Sequence, residues 1–185
     1  QIYSKGSLYK GYSIQPYSPK AGTGISSHEL NQPGTYKDVT DTSVTAMFKT
    51  IKSSLPKSLK NDEELYILAW TTTPWTLPSN TALTVGKKIK YVIIKTFNQY
   101  TSLPIRVLIA SKLVEKQFGK KYKLVENPSL LKNYNTTSKE IPYFIETSCL
   151  GKDLIDIKYE KLWKESPPPI NNPENAFRVI EGDFV

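Results

Sequence analysis

The segment AWTTTPWTLPSNTALTV, residues 69–85, contains the residue types and spacing that best suit chemistry. Thr71, Thr72 and Thr73 follow an apolar run and meet Pro74, which biases the residue before it toward an extended conformation. A second proline, Pro78, stiffens the same loop. Hydroxyls and backbone amides are therefore expected on a rigid turn at a strand end, where they can hold a ligand or a water molecule by hydrogen bonds.

Three further residues of this segment are candidates for substrate contact. Trp75 adds a large flat wall, Thr76 adds another hydroxyl, and Asn80 adds an amide that can both donate and accept hydrogen bonds. By composition alone, an ordinary sheet edge with threonine for strand propensity and proline for a turn is the favoured explanation of the segment. The order of the residues is more specific than their composition.

The rest of the composition excludes most standard catalytic sites. The 185 residues include one Cys and one His, which rules out a disulfide scaffold, a cysteine-rich zinc module and a His-pair metal site. His28 ends the stretch GTGISSH at 22–28, which we interpret as an ordinary loop without a phosphate-binding ending. Cys149 lies in an apolar run and is interpreted as a packed small side chain.

Charged residues suggest a partner but not a metal. The formal net charge is +8, mostly from Lys, which is typical either of a solvated surface or of a phosphate-binding side. The acid pairs Asp153/Asp156 and Glu63/Glu64 lie in polar stretches and are expected to be solvated and without partners. No metal-ligand cluster is present in the sequence.

The elements that must position these residues are mostly strands. Period-2 alternation at 44–49 predicts a half-buried strand, and the apolar run 64–70 predicts an interior strand. A short helix is expected after residue 110, with Ser111 as its N-cap, Leu113, Val114 and Phe118 on its inner face, and Gly119 at its end. Further strands are expected in the ranges 81–85, 90–96, 121–126 and 178–185 and in the run IPYFIETSCL, with loops at 16–35 and 127–140. We predict a mostly β domain with peripheral short helices, barrel-like or strongly curved.

The string TTTPWTLPSN resembles the threonine-rich motif of the editing domain of class I aminoacyl-tRNA synthetases, in its isoleucyl form. Flanking segments KGSLYKGYSIQPYS, NQPGTYKDVTD and LGKDLIDIKYEKLW support the resemblance, and PYS with ISSHE favours a eukaryotic cytosolic type. The resemblance implies a ribbon or linker from the synthetic domain at 1–35 and an editing domain at 36–185.

The resemblance also implies a reaction. A pocket for Ile cannot strongly reject Val, so a second site must hydrolyse valine wrongly joined to tRNA(Ile), and valyl-adenylate as a further substrate. Thr71, Thr72 and Thr73 would position water and stabilise the oxyanion, while Trp75 and Thr76 would contact the substrate. Asn80 would orient the terminal adenosine or the loop itself. The implied partners are the tRNA(Ile) 3′ end and misactivated valine, in the cytoplasm, with neither DNA nor membrane.

Two features depart from the family pattern. The expected second half of the editing site, a Gly-Thr-Gly-x-x-His stretch followed by an Asp, is absent, and we expect it beyond Val185. The signature motifs of the synthetic site, HIGH and KMSKS, are absent as well, so ATP would be used by a synthetic domain outside this chain. Editing itself would need no cofactor.

Two alternatives to the editing enzyme remain open. The chain could bind a tRNA 3′ end or an aminoacyl analogue without turnover. Alternatively, it could be a generic β-barrel that binds single-stranded nucleic acid through Lys and stacked Tyr or Trp.

Overall fold

A computed structural model describes residues 1–185, and the chain divides into two compact units, 1–41 and 42–185. In the first unit, β1 (Tyr17–Ser18) and β2 (Thr23–Gly24) form a small antiparallel pair. Helix α1 (Ser27–Leu30) follows, and Ser26 and Glu29 close a reciprocal capping box at its start. The predicted loop at 16–35 therefore contains local structure. The predicted boundary after residue 35 stays a prediction.

The second unit is built on a six-stranded sheet. Its strands, in spatial order, are β3 (Val44–Lys49), β4 (Tyr66–Thr71), β7 (Pro104–Ala110), β6 (Lys90–Phe97), β9 (Ile141–Leu150) and β8 (Tyr122–Leu124). A second sheet pairs β5 (Ala82–Val85) with β10 (Arg178–Glu181) in parallel. The chain is thus mostly β, as predicted from the sequence.

Backbone hydrogen bonds link the two sheets around one core. The amide of Ile51 donates to Lys158 O at 2.8 Å, which attaches the segment 157–160 to the end of β3. Val179 of β10 donates to Ile157 O at 2.9 Å from the other side of that segment. Strand pairing therefore continues from β3 to β10 and β5, which agrees with the expected barrel-like curvature.

Both faces of the large sheet are packed. One face and the β5/β10 pair enclose the main core, which includes Phe48, Ile93, Leu108, Leu154, Tyr159 and Val179. On the other face, Val92, Ile94, Val107 and Ile109 pack against Val114 and Phe118 of α2 (Val114–Phe118). The alternating burial along β3 follows the predicted period-2 pattern.

Two sequence predictions about these elements are wrong. Ser111 does not cap a helix, because it begins a 3-10 turn, Ser111–Leu113, that leads into α2 without a side-chain cap. Leu113 is exposed and does not belong to the buried face that Val114 and Phe118 form. Val114 and Phe118 are buried as predicted, and Gly119 follows the helix.

Strand β4 is interior over only part of its length. It pairs with β3 throughout but with β7 only at Tyr66 and Ile67. Beyond these residues one edge lacks a strand neighbour, and Trp70 is 57% exposed rather than buried on an interior strand. The last residues of β4 are therefore accessible where the threonines begin. No helix of the chain is long and apolar enough to cross a membrane.

Candidate functional site

The threonine loop, which we define as residues 71–80, begins at the last residue of β4. Thr71 lies opposite Val44 of β3 and is partly buried. Its Oγ1 accepts a hydrogen bond of 2.9 Å from the backbone amide of Thr73. This bond turns the chain sharply out of the strand, with Thr73 at φ −123° and ψ 61°. The first threonine therefore shapes the loop.

Thr72 and Thr73 present hydroxyl groups that make no hydrogen bond within the protein. Thr72 is exposed, and Thr73 is partly buried. The Thr73 carbonyl accepts from the Thr76 hydroxyl at 2.8 Å and from the Thr76 amide at 3.2 Å. Thr76 thus stabilises the 3-10 turn Pro74–Ser79 and leaves the hydroxyls of the preceding pair available to a ligand.

Asn80 closes the loop by bonding to the protein rather than to solvent. Its Nδ2 donates to Ala82 O at 2.9 Å, and its Oδ1 accepts from the Tyr159 hydroxyl at 2.6 Å. Tyr159 is only 1% exposed, and burial raises the pKa of its phenol, so it remains a donor. Of the two roles expected for Asn80, these contacts favour orientation of the loop.

Trp75 projects from the loop with 71% of its surface exposed. Leu77 packs against the main core and thereby holds the 3-10 turn against the sheet unit. Two cavities of about 750 and 360 Å³ lie elsewhere, and none of the six predicted site residues lines either of them. Because most of the Trp75 side chain is free of protein contact, it would form a steric wall only together with further atoms.

Strand β4 also places an aromatic and cationic pair directly before the loop. Trp70 points to the face covered by α2, and Lys116 of α2 lies with Nζ 5.1 Å from the centroid of its ring. Gln117, the next residue of α2, accepts a 3.2 Å hydrogen bond from Thr45, which is the cross-strand partner of Trp70. These contacts hold α2 against the end of β4.

The opposite end of the sheet carries the Arg106 cluster, defined as Asn61, Glu63, Lys95, Arg106 and Glu146. Arg106 is 4% exposed and donates through Nε to Glu146 at 2.6 Å and through Nη2 to Leu59 O at 3.0 Å. Lys95 pairs with Glu63 at 2.8 Å and with Glu146 at 3.3 Å. Burial alone would lower the pKa of Lys95, but these two carboxylates outweigh it and raise that pKa.

The larger cavity lies beside this cluster. Its lining is mainly apolar and includes Met47, Tyr66, Phe97 and Leu103. Most charges of the cluster are already paired within the protein, and only Nη1 of Arg106 lacks a partner. The arrangement is that of a structural ion-pair network, because paired carboxylates and cations have little capacity left for a ligand.

The acid pairs are engaged, contrary to the expectation of free surface carboxylates. Glu63 pairs with Lys95, Glu64 pairs with Lys49, and Asp156 accepts from Arg178 at 3.0 Å. Asp153 accepts from the Leu150 amide at 3.0 Å. Lysines and arginines distant in sequence supply most of these partners, so the local polar context of each acid gave no sign of them.

The single His and the single Cys have no part in the threonine loop. His28 is exposed in α1, not in a loop, and its Nε2 lies 3.0 Å from Gln32 Nε2. Burial raises the pKa of Cys149 to about 11, with a smaller contribution from Asp153. Cys149 packs against the main core, as predicted, and is protonated at neutral pH.

Tyr159 and Lys116 are the site neighbours that the sequence did not reveal. Tyr159 reaches Asn80 across 79 positions of sequence, and no local pattern indicates such a contact. The lysines at 112, 116 and 120 recur every four residues, the spacing of one helix side, and this signal could have been found.

Comparison with known proteins shows that the whole chain is similar to one segment of much longer enzymes. The chain is 53% identical over its full length to an isoleucine–tRNA ligase of Cytophaga hutchinsonii, and 49% and 50% identical to those of Porphyromonas gingivalis and Bacteroides fragilis. It spans about 16% of the length of the first of these relatives. No protein-family model matches the chain.

The chain therefore matches a segment of aminoacyl-tRNA ligases. The ligases that it matches are those for isoleucine. The similarity supports the interpretation of the chain as a domain of such a ligase. These relatives are bacterial, so the eukaryotic cytosolic type expected from PYS and ISSHE is not supported.

Proposed function

We propose that this chain is the editing domain of an isoleucine–tRNA ligase and that it hydrolyses the ester that wrongly joins valine to tRNA(Ile). The observation that carries the proposal is the pair of unpartnered hydroxyls, Thr72 and Thr73, on a loop anchored at both ends. The similarity to isoleucine–tRNA ligases over the full chain supports it. The proposed partners are the 3′ end of tRNA(Ile) and its misplaced valine, in the cytoplasm, with valyl-adenylate as a second substrate.

The proposed reaction is hydrolysis of an ester. Water attacks the carbonyl carbon of the aminoacyl group, the carbonyl oxygen gains negative charge, and the bond to the ribose oxygen then breaks with protonation of that oxygen. Thr72 and Thr73 donate hydrogen bonds to the water or to the developing oxyanion. Neither hydroxyl is a strong base, so the contribution of the loop is positioning and charge stabilisation.

A fixed loop suits that role because preorganised donors cost no reorganisation during the reaction. The Thr71 Oγ1 contact holds the entry to the loop, and the Asn80–Tyr159 contact holds its exit. Trp75 forms one side of the amino-acid pocket in this proposal. Because the relatives are about six times longer than this chain, we propose that other parts of a full-length ligase complete the pocket.

A variant series at Thr72 in a full-length enzyme tests the proposal. The chimeric ligase for this purpose has the chain in place of the matching segment of the Cytophaga hutchinsonii enzyme. Thr72→Val keeps the shape but removes the hydroxyl, and we expect hydrolysis of Val-tRNA(Ile) to fall about 100-fold. Thr72→Ser keeps a hydroxyl and should retain most activity.

Thr137→Val supplies the matched control, because Thr137 is exposed and lies outside the loop, in the segment before β9. It should leave hydrolysis unchanged. Equal hydrolysis by the Thr72→Val enzyme and the unsubstituted chimera would overturn the assignment of Thr72.

Binding without turnover is the second candidate function. The open surface at Trp75 and the absence of the six site residues from both described cavities favour it for the chain by itself. Single-turnover hydrolysis by the 185-residue chain and by the chimeric ligase separates the candidates. Release of valine by the chimeric ligase supports editing, whereas binding of Val-tRNA(Ile) with no release of valine by either protein supports the second candidate.

A further inference from the structure

Lysines concentrate on the segment that packs against the end of β4. Residues 112–123 contain Lys112, Lys116, Lys120, Lys121 and Lys123 with Glu115 as the sole acid, which is half of the chain's formal net charge of +8. All five lysines are exposed. Positive charge is therefore denser in this segment than in the chain as a whole.

Three of these lysines, Lys112, Lys116 and Lys120, form what we call the lysine ridge. None of the three has an ion-pair partner in the structure, whereas Lys49, Lys87, Lys95 and Lys123 each contact a carboxylate. Their spacing of four residues runs through the 3-10 turn, α2 and the residues after Gly119. Unpaired ammonium groups of this kind are free to exchange small counterions for phosphates.

The ridge contacts the residue that precedes the threonine loop in β4. Lys116 lies over Trp70, and Trp70 immediately precedes Thr71 in β4. Trp70 is also more than half exposed, so an aromatic surface lies within the cationic segment. Cations along a backbone track with an aromatic side chain beside them are typical of single-strand nucleic-acid binding.

We infer that the lysine ridge binds the phosphate backbone of the single-stranded RNA that leads its 3′ end to the threonine loop. The choice of RNA rests on the proposed function, whereas the unpaired charges and the contact of Lys116 with Trp70 are features of the structure. Unpaired cations beside an exposed tryptophan favour a nucleic-acid strand over an acidic protein surface, since a flexible strand can follow cations that extend from the 3-10 turn through α2 to the residues after Gly119.

The test measures the salt dependence of binding with RNA that carries no amino acid. The probe is a single-stranded RNA oligonucleotide with the 3′ sequence of the tRNA, and its Kd for the 185-residue chain is measured by fluorescence anisotropy over a series of KCl concentrations. The ridge variant is Lys112→Gln/Lys116→Gln/Lys120→Gln. We expect the slope of log Kd against log salt to fall by about 2, from roughly 0.7 per lost phosphate contact.

A charge-matched control separates a local track from general attraction. Lys88→Gln/Lys139→Gln/Lys164→Gln removes the same charge from exposed lysines without ion pairs elsewhere on the chain. This variant should keep the slope of the unsubstituted chain within about 0.5. Equal slope changes in both variants, or no change in the ridge variant, would overturn the inference, provided that circular dichroism shows both variants folded.

The outcome is independent of hydrolysis, because the RNA carries no ester. A lost salt slope in the ridge variant supports the track even if Thr72→Val leaves hydrolysis intact. An unchanged slope overturns the track even if the threonine loop proves catalytic.

Discussion

The two ends of β4 differ in how their polar groups are used. At its start, the Arg106 cluster combines a large cavity with charges that are almost all paired inside the protein. At its end, the threonine loop lines neither of the two described cavities but presents hydroxyls that are unpaired, and Thr72 is exposed. Cavity size therefore favours the start of β4 as a binding site, whereas free hydrogen-bonding groups favour its end.

A buried charge is not by itself a functional group. Arg106 and Glu146 satisfy each other, and breaking the pair would expose a desolvation cost. Thr72 contributes little to folding by the same criterion, because its hydroxyl has no protein partner. Variants at the two ends should accordingly separate stability from activity.

The largest effect on stability is expected from Glu146→Leu. The substitution leaves Arg106 buried without its carboxylate, and the free energy of unfolding should fall by about 3 kcal/mol, as measured by urea denaturation. The double substitution Arg106→Leu/Glu146→Leu should recover most of the loss, since no uncompensated charge remains. A Glu146→Leu protein as stable as the unsubstituted chain would contradict the structural assignment of the cluster.

A smaller effect is expected from Tyr159→Phe, which probes the anchoring of the threonine loop. It removes the 2.6 Å hydrogen bond to Asn80 Oδ1 and leaves a partly buried acceptor unsatisfied. The free energy of unfolding should fall by about 1 kcal/mol in urea denaturation. In the chimeric ligase, hydrolysis should also slow, whereas the control Tyr100→Phe, at an exposed residue outside the loop, should leave hydrolysis unchanged. Unchanged hydrolysis and stability would show that the exit of the loop needs no anchor.

Cys149 lies on β9, the strand that carries Glu146, and its reactivity depends on pH. Burial raises the pKa of this thiol from 9.0 to about 11, so its thiolate fraction at pH 8 is about 100-fold below that of an ordinary cysteine. Alkylation by iodoacetamide at pH 8 should be slower than that of free cysteine by about this factor. Alkylation at the rate of free cysteine would contradict the packed assignment.

The same shift has a defined sign for stability. A thiol whose pKa is higher in the folded state contributes stability that is complete below pH 9 and is lost as the pH rises toward 11. The thermal unfolding temperature of the native chain should therefore fall more over this pH interval than that of the Cys149→Ala variant.

Local patterns predicted the elements well where burial alternates regularly. Val44, Ala46 and Phe48 lie on a strand as their spacing indicates, and the run 90–96 forms the centre of the large sheet. The threonine motif could also be found from its order of residues. The exposure of Trp70 could not, because it depends on how far β7 pairs with β4.

Long-range partners account for most of what the sequence could not show. The parallel pairing of β5 with β10 joins segments almost 100 residues apart, and neither segment indicates the other. The Asn80–Tyr159 and Arg106–Glu146 contacts are of the same kind. The wrong prediction of a cap at Ser111 is a local error, since the helical segment begins with a 3-10 turn where a full α-helical turn was expected.

The most direct test of the central claim is the ratio of hydrolysis rates for Val-tRNA(Ile) and Ile-tRNA(Ile) by the chimeric ligase. An editing site that admits valine and excludes isoleucine should release valine at least about tenfold faster, and Thr72→Val should abolish most of that release. Equal rates for the two esters, or valine release that does not depend on Thr72, would contradict the account.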